Sequence, residues 1–355
     1  MSVLWHLAFS LIALLSPCMA STVDPLPRSI LVLDQSDVRG PFYSQVFAAL
    51  RTVVNSEPEF PVSIYVESLD LSRFTGSAYQ ESLEAHLRVK YRDKPIGVIV
   101  SVGSAATEQV LRWRSKLWPG VPLVFAMVDE EEAGRLTGAG DVTGSVIKLK
   151  FEDMITVARA VVPNLERVAL VGDPLQQQTV YRHFAREIPT AARGIGIVDL
   201  TGLPMAELLK RVAALPDRTA IVYTAIYSDG AGTFYTPSDA VALLAQVANR
   251  PIVVSFETFL GRGPIGGFLV EPSAIGEAAA GQALRVLHGE APSSIPVTAI
   301  EAVRPIFDWR QLQQWNGEQS HQFQGSGAAD HIGCGAALRS QAQSVRVLQK
   351  RAGRK

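Results

Sequence analysis

The chain reads as an α/β protein of two lobes, each built on a parallel sheet. Three observations predict this. The first is the stretch from Pro95 to Asp129. An apolar β-branched run, Ile96 to Val100, meets a small-residue turn, Ser101-Val102-Gly103-Ser104. Apolar residues at helical spacing follow (Ala106, Val110, Leu111, Leu117), then a Pro119-Gly120 stop and a second apolar run from Val121 to Val128. Continuous apolar strands around an amphipathic helix imply a parallel sheet covered on both faces. The second observation is that the same alternation restarts near residue 145, which argues for two similar lobes. The third is size: 355 residues, 47% hydrophobic and only 19% charged, supply apolar material for a sizeable core and suggest roughly two domains. Ligands of parallel sheets bind beyond the carboxyl ends of the strands. That rule puts Gly103-Ser104-Ala105 and Met127-Val128-Asp129 on one rim.

Taken in order, residues 1–20 read as an export signal. Leu4 to Ala20 holds a short apolar segment, and Met19-Ala20 before Ser21 gives a small-residue cleavage end, although only His6 precedes the apolar part in place of Lys or Arg. Leu15-Ser16-Pro17-Cys18 is a poor lipoprotein box because proline precedes the cysteine, so lipid anchoring at Cys18 is not expected. A periplasmic protein is expected. After a linker (Asp24 to Arg28), Ser29 to Leu33 is the first strand. A helix from Phe42 to Asn55 carries Phe42, Val46, Phe47, Leu50 and Val54 on one face. Val62 to Val66 is a strand and Glu81 to Tyr91 a charged helix. Glu130 to Asp141 is an acidic connection.

From Thr143 the pattern begins again. Helices are expected at Phe151–Val162, Thr179–Ile188, Met205–Leu215 and from a Ser238 cap to Ala248. Strands are expected at Arg167–Val171, Ile195–Asp199, Ala220–Thr224 and Pro251–Ser255. Gly266–Val270 is a further strand, Ser273–His288 a helix and Pro296–Val303 a last strand. From Asn316 onward Gln, Gly, Ser and Ala dominate and the end is basic, which reads as a disordered tail, 316–355.

Composition excludes several functions. A formal net charge of -1 gives no basic excess for nucleic acid. The two cysteines, Cys18 and Cys334, fall in the signal and the tail, leaving no disulfide or thiolate metal site between them. The six histidines form no HExxH pair, and no GxSxG elbow or Walker loop occurs in the globular part. Gly261-Arg262-Gly263-Pro264-Ile265-Gly266 matches GxGxxG but leads into a strand, so it is no dinucleotide fingerprint. No catalytic set, metal or cofactor is expected.

Three stretches carry a resemblance: Gly97 to Asp129, with its VSVGSAA turn and PLVFAMVD strand; Thr143 to Pro174; and Gly266 to Val297, with its strand–helix–Gly-Glu–Pro pattern. In order and spacing they resemble the ABC-transporter substrate-binding protein family, with the type I periplasmic-binding fold. The resemblance implies two Rossmann-like lobes joined by three hinge strands, closing on a small solute in the cleft. It assigns 28–143 plus 267–290 to lobe 1 and 144–266 plus 295–310 to lobe 2. It implies a small-molecule ligand, aromatic amino acids in some members, and a membrane permease as partner. Similar domains serve as extracellular inputs of sensor histidine kinases, and Arg304-Pro305-Ile306-Phe307-Asp308-Trp309 resembles that subgroup. A ligand-sensing module is therefore the alternative.

The rim rule nominates the site residues. Ser104 starts a helix whose free N–H groups at Ala105 and Ala106 form an anion cradle, or else it is a plain capping serine. Gly103 lets an oxygen approach them. Tyr43 breaks the apolar stripe of its helix and is expected to form a cleft wall, whereas Phe42 fits the core. Asp129 ends its strand where it can meet an ammonium or hydroxyl. In the second lobe Asp173, Tyr227, Ser228, Asp229, Phe256 and Glu257 occupy equivalent positions. The expected ligand carries a carboxylate.

Overall fold

Runs of buried β-branched residues build two separate sheets. In this computed structural model, residues 26–36, 40–74, 76–136, 140–301 and 305–317 are described. The expected signal, and the expected tail beyond residue 317, lie outside them.

The first sheet contains β1 (Ser29–Asp34), β2 (Ser63–Ser68), β3 (Val98–Val102), β4 (Leu123–Val128), β5 (Val142–Lys148) and β11 (Thr298–Glu301), in the order β2-β1-β3-β4-β5-β11. Every residue of β1, β3 and β4 is buried, as central parallel strands require, whereas the edge strand β2 alternates between exposed and half-buried. The second sheet contains β6 (Arg167–Val171), β7 (Gly196–Asp199), β8 (Thr219–Tyr223), β9 (Ile252–Val253), β10 (Gly266–Phe268) and β12 (Pro305–Phe307), in the order β7-β6-β8-β9-β10-β12. Among these strands β12 alone runs antiparallel to its neighbour. In each sheet the order reverses beside the first strand, between β1 and β3 and between β6 and β8. These are the switch points where parallel sheets leave a crevice.

Helices cover both faces. The first sheet carries α1 (Pro41–Val54), α2 (Ser77–Lys90), α3 (Ser104–Leu117) and α4 (Glu130–Leu136). The second carries α5 (Phe151–Val161), α6 (Phe184–Ala191), α7 (Met205–Val212) and α8 (Pro237–Val247). Next, α9 (Pro272–Leu287) returns to the first lobe and packs along α1, β3, β4 and β5, and α10 (Trp309–Gly317) rests against α5. The chain thus passes between the sheets three times: from β5 to α5, from β10 to α9, and from β11 to β12. Across the first passage one apolar cluster joins the lobes, running from Ile147 and Leu149 into Phe151 and Met154.

Several elements differ from expectation. β5 and β11 belong to the first sheet, so 144–148 and 298–301 pair there rather than with the second set. Gly144 permits this, because a Cβ on it would overlap the Phe125 carbonyl of β4. The expected final strand is two: β11, then β12 turned back on β10. The expected helix 179–188 starts late, at Phe184. Only its second half survives, as the start of α6, after a 3-10 turn (Leu175–Gln177), because Gln178 and Tyr181 are held by side-chain hydrogen bonds to the Asp173 carbonyl and the Ser255 hydroxyl just beyond β6 and β9. The cap of α8 is Thr236, whose hydroxyl accepts from the Asp239 amide at 3.2 Å, with Pro237 next. Ser238 instead points its hydroxyl at the Thr258 carbonyl. The acidic connection after β4 forms α4, capped by the Asp129 carboxylate on the Glu132 amide at 2.8 Å.

Gly276 sets the approach of α9 to α1. A Cβ there would overlap the Val46 carbonyl and crowd the Cβ of Ala49 and the amide of Leu50, each at 3.0 Å. Gly276→Ala should therefore cost about 1–3 kcal/mol of stability despite the better helix propensity of alanine. Urea denaturation checks this, and an unchanged midpoint would show that the two helices separate easily.

Candidate functional site

Residues just beyond the carboxyl ends of the two sheets meet across the lobes, Asp129 with Arg182 and Phe42 with Phe256. On the first side β1 ends at Asp34, fully buried, whose carboxylate accepts from the Ser36 amide at 2.9 Å. The next residue, Gln35, reaches over to the start of α3 and accepts from the Ala105 amide at 3.1 Å. Gly103 makes room for it. Its φ is +97°, and a Cβ there would overlap the Gln35 side chain. Gly103 is thus the true cap position, and Ser104 is the first helical residue. The Ser104 hydroxyl is buried beside Glu132 without completing a hydrogen bond. Burial pushes the Glu132 carboxyl up, and Ser104 and the Arg182 guanidinium partly offset it. Near the end of β4, Met127 adopts φ +61° where the pairing with β5 shifts register. Such a conformation is unusual for a bulky residue, and it re-aims the segment leading to Asp129.

Asp129 is already engaged. One oxygen caps α4, and the other receives Arg182 of the second lobe through Nη2 at 2.8 Å and Nε at 3.2 Å. Arg186 of α6 reaches Glu131 of α4 at 2.9 Å, parallel to that contact. These pairs clasp the two lobes along one side of the cleft.

On the second side, Asp173 follows β6. Its carboxylate accepts from the Tyr227 amide at 3.0 Å and the Ser228 amide at 3.4 Å, so it ties down the loop after β8. Burial dominates its titration and the two amides only partly compensate, leaving the carboxyl raised to about 6. Asp229, by contrast, accepts from Met205, Ala231 and Thr233 amides at 2.9, 3.0 and 2.8 Å. Burial alone would raise its carboxyl, but these donors outweigh it and hold it below the usual range. Its position fastens the 225–236 loop to the start of α7. Ser228 bridges Phe234 within the same loop. Tyr227 is half-buried, and burial with the nearby Asp173 pushes its hydroxyl up to about 12. Glu257 is raised by burial and then by Glu271.

The two aromatic assignments on α1 exchange places. Tyr43 is buried in the core, with its hydroxyl unpartnered. Phe42 is half-buried and crosses the cleft, its ring edge-on to Phe256 at 5.4 Å and 88°. Phe256 continues to Tyr181 at 6.3 Å. Tyr181 in turn bonds the Ser255 hydroxyl at 2.7 Å. The spacing of α1 placed Phe42 on the apolar face correctly, but that face ends where the second lobe begins. Gln35 and Arg182 were missed altogether. The first follows a strand, which is a rim signal; the second lies inside a segment expected to be an ordinary helix.

The model of the family described as ABC transporter substrate binding protein matches residues 66–316. The chain belongs to this family. Its architecture agrees with solved structures at identities that show fold alone. One is a Streptococcus pneumonia ABC domain in complex with L-Trp: TM-score 0.63, 14% identity, covering 82% of this chain and 95% of that one. Another is a conserved domain protein from Vibrio cholerae: TM-score 0.62, 15% identity, 81% and 94% covered. A third is a ligand-free, open substrate-binding protein with adhesive properties from Clostridium difficile: TM-score 0.59, 10% identity, 86% and 98% covered. No curated protein sequence matches. A type I periplasmic-binding fold follows, and substrate-binding proteins of this kind hold small molecules and work with ABC permeases. Among the described residues, no helix is long and apolar enough to cross a membrane.

Two outcomes follow for this substrate-binding protein. Asp173 titrates at 3.8 when unperturbed and at about 6 here, so the folded state holds more protons between those values. Stability should fall as pH rises through that window, by up to about 3 kcal/mol in all. Asp173→Asn should flatten that part of the pH profile of denaturant melts, and a wild-type slope retained in the variant would contradict the assignment. Arg182→Ala removes the clasp on Asp129. Because Arg182 is more than a third exposed, the loss in stability should stay within about 1 kcal/mol. The visible effect should be a larger mean separation of the lobes in small-angle scattering without solute, and an identical profile would show that the pair does not bias closure.

Proposed function

We propose that this chain is a periplasmic solute-capture protein of an ABC-type uptake system, and that its solute is a small carboxylic acid, foremost an aromatic amino acid. The fold supplies the mechanism. Two lobes tied by three passages can hinge, and contact between lobes of one chain is usually slight enough to permit it. No covalent step is involved. The solute shifts a binding equilibrium toward the closed form.

The observation that carries the ligand class is the amino end of α3. It presents backbone N–H groups beside Gly103, with the positive end of the helix dipole behind them. No Lys or Arg lies between Gly103 and Ala106, so one carboxylate suits the turn better than a phosphate. Phe42 and Phe256 meet edge to face across the cleft, forming an apolar wall against which a flat ring can pack. Of the charged rim residues, Asp173 remains the best partner for an ammonium. Its buried carboxyl has only two amide donors, whereas Asp129 has a guanidinium and Asp229 three amides. Gly103, Ala105, Tyr43 and Phe256 complete the proposed site; Ser104, Ser228, Tyr227 and Glu257 lie around it. The L-Trp complex of the Streptococcus pneumonia domain is consistent with this class.

Calorimetry against the twenty amino acids, with tryptamine and indole-3-propionate as analogues, tests the proposal. At least one aromatic amino acid should bind one to one, indole-3-propionate more weakly and tryptamine not at all. Binding of tryptamine alone, or of a neutral sugar and no acid, would overturn it.

A further inference from the structure

The amino end of α3 is not vacant. Gln35 already accepts from the Ala105 amide, where an incoming carboxylate would accept. Gly103 is required for that contact as much as for any ligand, since a side chain there would collide with the Gln35 amide. One polar group beside that contact is left unsatisfied. The Tyr43 hydroxyl is buried, with the residue only 4% exposed, and makes no hydrogen bond. It lies close enough to Gln35 and Asp34 for both to affect its titration, and its hydroxyl is raised well above its usual value chiefly by burial. A buried phenol without a partner is costly, and native structures rarely tolerate one without a reason.

We infer that Gln35 is a built-in placeholder for the solute's carboxylate, and that binding replaces its amide oxygen with a charged oxygen that takes the Ala105 N–H and the Tyr43 O–H together. The inference rests on the carboxylate reading above and assigns specificity within that site. A side-chain amide has the planar shape of a carboxylate but no charge. It satisfies one donor of the helix end in the solute-free protein and yields it without breaking a salt bridge. The carboxylate that replaces it gains charge-assisted bonds, which are stronger than the neutral bond it displaces. Because Gln35 competes with the acid, it also screens out weak neutral acceptors, which offer no more than the amide does. Gln35 is half-buried and follows the last residue of β1, so its side chain has a route outward. Tyr43 is fixed within α1 and stays to receive the newcomer.

The placeholder role predicts opposite signs for two neighbouring variants, which an ordinary contact residue would not give. With L-tryptophan as probe in calorimetry, Gln35→Ala should bind about three- to tenfold more tightly than wild type, the internal competitor being gone. Tyr43→Phe should bind roughly tenfold more weakly while its melting temperature stays equal or rises, since the unsatisfied hydroxyl is removed. Acetate, followed through the Ala105 amide in 15N spectra, tests the same exchange without the rest of the solute. It should shift that resonance at lower concentration in Gln35→Ala than in wild type. If tryptophan does not bind but the acetate result holds, the amino-acid reading fails and the placeholder stands. If tryptophan binds and Gln35→Ala weakens it, Gln35 is a direct contact and the placeholder is overturned. Unchanged affinity for tryptophan and unchanged acetate response in Gln35→Ala would overturn it too.

Discussion

Three passages of the chain between the sheets constrain everything else in this protein. They lie between Lys148 and Phe151, between Phe268 and Pro272, and between Glu301 and Pro305. Because the second passage carries α9 back to the first lobe, the chain completes that lobe only after most of the second. The long contact of α9 on α1 then locks the return, with Gly276 letting the two backbones approach. The same weave fixes the orientation of the sheets. Residues beyond the carboxyl ends of both sheets meet, Phe42 on Phe256 and Asp129 on Arg182, so the switch points beside β1 and β6 lie on the side where the lobes touch.

The groups inside that crevice are mostly satisfied by the protein itself. Asp129 is held by Arg182, Asp229 by three amides and the start of α3 by Gln35. This explains how a cleft rich in polar groups can close without a large desolvation cost. It also changes how capture is pictured. In the proposed exchange at Gln35, a solute trades internal partners for its own, and affinity is the difference between two sets of hydrogen bonds. Phe42 against Phe256 supplies an apolar contact that either state can use. On that proposal, capture depends on whichever donors the solute-free protein leaves unmet, the Tyr43 hydroxyl among them.

The β/α alternation, both lobes and the rim position of the 101–105 turn were legible in the sequence, because buried parallel strands and amphipathic helices leave strong periodic signals. What was not legible depends on contacts distant in the chain. β5 looked like the start of a second set, and only its pairing with β4 and β11 places it in the first. The 179–188 segment has helical spacing, yet Gln178 and Tyr181 bond to residues 46 and 74 positions away. Asp129 and Asp229 look alike at strand ends, but one meets a guanidinium and the other backbone amides. Tyr43 and Phe42 differ by one step of a helix, and which of them meets the other lobe depends on where that lobe sits. Gln35 carried the plainest signal that was passed over: a polar residue directly after a buried apolar strand.

The most direct measurement is mass spectrometry of the small molecule released when the protein, purified from its native host without added solute, is denatured. The account predicts a stoichiometric amount of one low-mass compound bearing a carboxyl group, with an aromatic ring its expected companion. A phosphorylated compound, a neutral sugar or a cation without a carboxyl would contradict it.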